Sequence, residues 1–181
     1  MNNKQTAAVV AAGAALLYVF SKGMKKAEST TTTAKSYPNS TERSRGYRNN
    51  NPLNIRISST NWAGMIPTAQ NGDGSFVQFT TMPYGFRAAM RNIRTYIVRD
   101  GKKTIREIIN KWAPPSENNT SKYVTDVCTL TGMLPGTVVS QTNQQQLSSL
   151  VRAMAFIENG YYCNNIDSYI NQGWNLYINS I

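Results

Sequence analysis

Apolar positions follow three regimes along the chain. Between Lys4 and Lys22 lies an uncharged run, Gln5 to Ser21, whose centre reads AAVVAAGAALLYVF. A bilayer core takes roughly 20 apolar residues, with about 17 as the lower bound, so the run predicts a short membrane helix. Tyr18 and Phe20 suit an interface, and Lys22, Lys25 and Lys26 supply a basic flank. A secretory signal peptide is the competing reading. Basic residues stand directly after the run, where a small-residue cleavage site belongs, and they favour a retained anchor over residues 1–26, with 6–21 in lipid. More lysines follow the run than precede it, which inclines its C-terminal side toward the cytoplasmic face. The second regime, Ala27 to Arg43, reads AESTTTTAKSYPNSTER and buries too little apolar surface to offset its chain entropy. It predicts a linker over 27–43, ahead of a folded domain over 44–181.

The third regime is periodic. Pro83 to Arg99 predicts an amphipathic helix with Phe86, Met90, Ile93 and Ile97 on one face and Arg87, Arg91, Arg94 and Arg99 elsewhere. The arginines suit a solvated face or an anionic partner. Thr104 and Glu107 form a capping box ahead of Ile105, Ile108, Ile109 and Trp112, and Pro114–Pro115 stop that helix. Thr120 is the expected cap of a helix from Ser121 to Leu130, ended by Gly132. Thr142 is the expected cap of another, from Asn143 to Glu158, ended by Gly160. One or two short helices are expected around Ile166–Ile170 and Trp174–Ile178. Tyr47–Ile57 reads as loop, and Asn61–Ile66 and Ser75–Phe79 as short strands around an NGDG turn. The fold class is mainly α with a small β element (α+β).

Composition then restricts the chemistry. The 181 residues carry 19 Lys+Arg against 9 Asp+Glu and no histidine. Ser-His-Asp and Cys-His catalysis and His-ligated zinc are thereby excluded. Cys128 and Cys163 are too few for a zinc cluster or a disulfide framework, and they read as unpaired small residues. No metal or cofactor is expected. The formal net charge of +10 suits an anionic partner, although no nucleic-acid motif is present.

Among the carboxylates, Asp73 belongs to a turn, Asp100 to a helix end and Glu107 to the capping box. Glu158 has no such explanation. Leu147, Val151, Met154 and Glu158 share one helical face, so the carboxylate leaves the stripe that packs the core, at the last turn of its helix. Burial and the negative end of a helix dipole both disfavour charge at such a place. A carboxyl that keeps its proton is what glycosidic cleavage needs. Glu117 lies near a helix N-terminus and suits a cap or a stabilising base. A solvent-capped or arginine-paired Glu158 is the plain structural alternative.

Several stretches together resemble a phage virion protein family. They are RNNNPLNIR (Arg48–Arg56), NWAG (Asn61–Gly64), FVQF (Phe76–Phe79), GFRAAMRNIRTY (Gly85–Tyr96), Thr104–Tyr123 with its WAPP-x-EN core, and LVRAMAFIENG (Leu150–Gly160). Pro52-Leu53 stands where the family reads Pro-Gly. Some members of that family are structural proteins of membrane-containing phages. A more distant similarity is to lysozyme-like glucosaminidases and lytic transglycosylases, in which a helix ending Glu-Ser-Gly carries the catalytic acid. Here the later pieces come first and the helix ending Glu158-Asn159-Gly160 comes last, an order that resembles a circular permutation.

That resemblance implies a lysozyme-like domain behind a membrane helix, a peptidoglycan glycan strand as substrate, and Glu158 as general acid and base. Asn50, Asn51, Asn54, Trp62, Tyr123 and Tyr161 are the implied substrate contacts, with Tyr123, Tyr161 and Asn51 donating to an acetamido group. Trp62 and Trp112 suit stacking on sugar faces, although core packing is the simpler reading of Trp112. The expected location is the virion membrane or the host envelope, beside other virion proteins. The alternatives are a non-catalytic structural virion protein on the same scaffold, or a basic membrane- or DNA-associated protein.

Overall fold

A computed structural model describes residues 43–181. The expected anchor (1–26) and all but the last residue of the expected linker (27–43) lie outside the described residues. Among the described residues, no helix is long and apolar enough to cross a membrane. Six helices follow one another: α1 (Arg45–Arg48), α2 (Met82–Val98), α3 (Ile105–Trp112), α4 (Thr120–Thr131), α5 (Gln144–Asn159) and α6 (Ile166–Ile178).

α5 is the hub. Leu147, Leu150, Val151 and Met154 on it are fully buried, and it touches α1, α2, α4 and α6. Phe86, Met90 and Ile93 of α2 and Ile105, Ile108 and Ile109 of α3 complete the same core. These are the stripes that a 3.6-residue period predicts. The closest helix pair is α2 with α6. Gly173 permits it, since a Cβ there would stand 2.8 Å from the Phe86 Cβ and 3.0 Å from the Pro83 carbonyl.

The helix termini show where local patterning was overridden. The Thr104–Glu107 capping box forms as read. The cap of α4, however, is Asn119, whose Oδ1 accepts from the Lys122 N–H, while Thr120 donates its hydroxyl to the Ala113 carbonyl at 2.5 Å. The cap of α5 is Asn143, which accepts from the Gln146 N–H. In both cases asparagine beside threonine takes the role, in keeping with its stronger N-cap preference. One or two short helices are expected around Ile166–Ile170 and Trp174–Ile178, and the segment forms one continuous helix, α6.

The expected strands reduce to isolated bridges, Arg56↔Phe76, Met65↔Phe79 and Thr104↔Val138, so the described domain is mainly α. Residues 75–79 take their partners in turn from two segments: Val77 donates to the Ile55 carbonyl, and Ile66 donates to that of Gln78. Sharing one segment between two neighbours stops either ladder from extending. Cys128 and Cys163 are both free and half-buried.

The arginine stripe of α2 is not a solvated face. Arg87, Arg91 and Arg94 are half-buried. Arg87 donates to the Leu176 carbonyl at 3.3 Å and Arg91 to that of Ser180 at 3.1 Å. Both cations sit at the negative end of α6, where the helix dipole favours them.

Asp73 does more than its turn requires. Its carboxylate accepts two bonds from Arg45 (2.7 and 2.8 Å), one from Asn49 Nδ2 (2.7 Å) and one from the Phe76 N–H (3.0 Å). The Arg45 guanidinium above all, with the amide donors, holds its carboxyl well below the usual carboxylate range. A lowered folded-state pKa stabilises the fold above the unfolded-state value of about 4, and that stabilisation fades as pH falls. Asp73→Asn is therefore expected to cost about 1–3 kcal/mol at neutral pH. In urea denaturation, the gap to wild type should narrow as pH drops below about 4. A gap independent of pH would mean that charge plays no part.

Candidate functional site

The site is built where the end of α5 meets the loop after α1. Three consecutive asparagines shape that loop. Asn49 donates to Asp73 and accepts from Gln78. Asn50, at φ 51°, donates to the Phe79 carbonyl. Asn51 is fully buried, donating to the carbonyls of Ile55 and Val77 and accepting from the Ile55 N–H. The run is thus a staple between the loop and residues 73–80. Leu53, where the resembled family reads glycine, is buried. The left-handed position is Asn54 (φ 52°), a residue type that tolerates it.

Asn54 then turns its amide to Glu158, with Nδ2 donating to Oε2 at 3.1 Å. Oε1 of Glu158 accepts from the Tyr123 hydroxyl at 3.0 Å and from Trp112 Nε1 at 3.3 Å. The carboxylate therefore joins the α1–α2 loop, α3, α4 and α5. Burial and the adjacent Glu158 carboxylate push the Tyr123 hydroxyl well above the ordinary tyrosine range, so it stays a donor. Glu158 lines an open cleft of about 560 Å³. Its walls are Asn54, Arg56 and Trp62 on one side, Asn92 and Tyr96 of α2, and Trp112, Glu117 and Asn118 on the other. Tyr96 and Trp112 meet edge to face, 6.5 Å between ring centres. Asn54 Oδ1 and Trp62 Nε1 have no hydrogen-bond partner among the described residues.

Of the residues that sequence reasoning selected, Glu158, Glu117, Asn54 and Trp62 come together around this cleft, and Tyr123 stands behind Glu158. Trp112 belongs to the cleft as well. Asn50, Asn51 and Tyr161 do not. Asn51 is sealed in the loop. Asn50 and Tyr161 line a separate cavity of about 470 Å³ with Tyr47 and Cys163. Tyr161 packs edge to face on Tyr47 and accepts from the Ser44 N–H. Gly160, left-handed at φ 79°, ends α5 just before Tyr161. The amide side chains that line this cleft are those of Asn54, Asn92 and Asn118. Sequence reasoning missed Asn159, which donates to the Pro52 and Ala155 carbonyls, both at 2.7 Å, and accepts from the Ser44 hydroxyl at 2.6 Å. Its only signal is adjacency to Glu158.

A mainly α-helical domain carrying a carboxylate-centred polar cleft is the class that this geometry defines. The chain belongs to a family of bacteriophage proteins that includes Protein P5 of Pseudoalteromonas phage PM2. The two are 38% identical over 122 residues, covering 66% of this chain and 73% of that one. No family model matches the chain.

Gly46 is a tight point of the site. A Cβ there would lie 2.5 Å from Asn159 Oδ1 and 3.0 Å from both the Asn54 Oδ1 and the Asn51 carbonyl. Gly46→Ala should destabilise the domain by about 1–3 kcal/mol in urea titration, as overpacking does. A loss below about 0.5 kcal/mol, the range of neutral surface changes, would show that the loop yields freely.

Proposed function

We propose that this protein is a virion-associated, membrane-anchored enzyme that cleaves peptidoglycan glycan strands, of lytic transglycosylase or muramidase type, with Glu158 as general acid and base. The scaffold is read as a circularly permuted lysozyme-like domain. One observation carries the proposal: the Glu158 carboxylate at the last turn of a core helix, held by three donors in an open cleft walled by amides, hydroxyls and aromatic rings, with Glu117 as the second carboxylate of the wall. Such a lining suits a sugar chain, whose hydroxyl and acetamido groups pair with amides and whose faces lie on aromatic rings.

The steps follow from the donors. The Glu158 carboxyl gives its proton to the glycosidic oxygen as the C1–O bond breaks. Trp112 has a donor only, and Tyr123 keeps its proton. Both stabilise the carboxylate left behind. The substrate's own acetamido group or 6-hydroxyl completes substitution at C1, so no second carboxylate nucleophile is required. Glu158 then takes the proton of the attacking hydroxyl. Attack by the 6-hydroxyl leaves an anhydro sugar, and attack by water leaves a reducing end.

The second reading is a structural virion protein on the same scaffold. The same hydrogen bonds favour it, since Glu158 joins four segments and would be kept for stability alone. Digestion of purified peptidoglycan by the full chain separates the two. Glu158→Gln should lower the rate about 10²–10⁴-fold, the span of general acid–base catalysis, with far-UV circular dichroism unchanged. Glu117→Gln should act weakly. Equal rates in wild type and Glu158→Gln would transfer the role to another group. No digestion by folded wild type, across several wall types, would establish the structural reading.

A further inference from the structure

At the far end of α5 from Glu158, the loop between α4 and α5 forms an apolar knuckle. Leu134 is 74% exposed and Val138 60%. Single exposed leucines are ordinary. This group differs in two ways.

First, its backbone is closed upon itself and its neighbour. Thr137 donates to the Leu134 carbonyl, and the Leu134 N–H donates to Thr137 Oγ1 at 3.0 Å. The Met133 N–H donates to Thr131 Oγ1. Arg106 and Ile105 donate to the Pro135 and Thr137 carbonyls, and Val139 to that of Lys103. Each backbone group paired in this way can enter an apolar phase without the cost of a stripped amide.

Second, the segment that these bonds strap to the knuckle is basic. Residues 99–111 carry Arg99, Lys102, Lys103, Arg106 and Lys111 against Asp100 and Glu107. Asp100 is matched by Arg99 and Lys111, and Glu107 is engaged at the N-terminus of α3. Lys102, Lys103 and Arg106 have no ion-pair partner among the described residues. The knuckle itself, 127–143, contains no charged residue.

We infer that this face docks on an anionic lipid bilayer, with Leu134 and Val138 entering the interface while Lys102, Lys103 and Arg106 meet lipid headgroups. Apolar tips ringed by cations are the composition that binds such surfaces. This surface is separate from the cleft and does not depend on what the cleft does.

The full chain also carries the apolar run 5–21, so vesicle attachment by itself discriminates nothing, and depth at the knuckle must be read instead. The full chain and its Leu134→Trp variant are placed in phosphatidylglycerol/phosphatidylethanolamine vesicles containing acyl-chain-dibrominated lipid. The readout is the fluorescence quenching that the new indole adds to the parent. Ala69→Trp is the control: residue 69 lies in the turn leading to Asp73, which is bonded through Arg45 and Ser44 to the Asn159 end of α5. Leu134→Trp should show at least about twofold more added quenching than Ala69→Trp. The excess should vanish in phosphatidylcholine vesicles and in Leu134→Trp carrying Lys102→Glu and Lys103→Glu. Equal quenching at the two sites, or an excess that survives either change, would overturn the inference. So would an indole at 134 shielded in detergent together with a doubled hydrodynamic mass, which would make the knuckle a contact between copies.

Discussion

The side-chain amide of Asn159 is the constraint on which the cleft depends. It ties the last turn of α5 to Pro52 and Ser44, residues more than a hundred positions earlier in the chain. The last turn of a helix has unsatisfied carbonyls and frays readily. Here the Asn159 amide binds the Ala155 carbonyl within the helix, and the Gly160 N–H closes on that of Phe156. Glu158 therefore sits on a turn fixed from both sides. Its bonds to Asn54, Tyr123 and Trp112 need that fixed origin, since the three donors come from three separate segments. A preorganised carboxylate is worth more to chemistry than a mobile one, because no ordering remains to be done during the reaction.

Polar side chains, more than strands, hold the 44–80 region against the helices. The Asn49–Asn51 run, Asp73 and Asn71 satisfy backbone groups that a sheet would otherwise pair. Such groups must find partners when buried. Amides at left-handed or tightly turned positions do this without the straight geometry that a ladder demands. The loop can then curve over α5 and α2 and still present Asn54, Arg56 and Trp62 to one cleft.

The helices were legible because their apolar stripes repeat at a spacing that burial enforces, and Glu158 was legible because it breaks such a stripe. The asparagine run was not. A cluster of amides looks alike whether it grips sugar or backbone, and its long-range partners lie 24 to 29 residues away, at Asp73, Val77 and Phe79. Tyr161 misled for a related reason: closeness in sequence to Glu158 is undone by one left-handed glycine. Trp112 looked like core, yet Pro114 and Pro115 end α3 where its indole reaches the Glu158 carboxylate. The caps of α4 and α5 were displaced by one residue each, because Thr120 and Thr142 stand beside better-placed asparagines.

Charge is similarly redistributed by the fold. A net charge of +10 suggests a broad basic surface, but several of its cations are engaged by partners within the chain. Arg45 is engaged by Asp73, Arg152 by Asp167, and Arg87 and Arg91 by the end of α6. Lys102, Lys103 and Arg106 remain together at one pole. Gln146, in the first turn of α5, bonds to Ser140 and Val138 beside that pole, whereas Glu158 stands in the last turn. The 16 residues of α5 make it about 24 Å long. At physiological salt this exceeds the screening length of about 8 Å, so charge beside the first turn of α5 barely acts on the carboxylate in its last turn. The cleft and the apolar knuckle therefore lie toward opposite ends of α5, with a core helix fixing the distance between them.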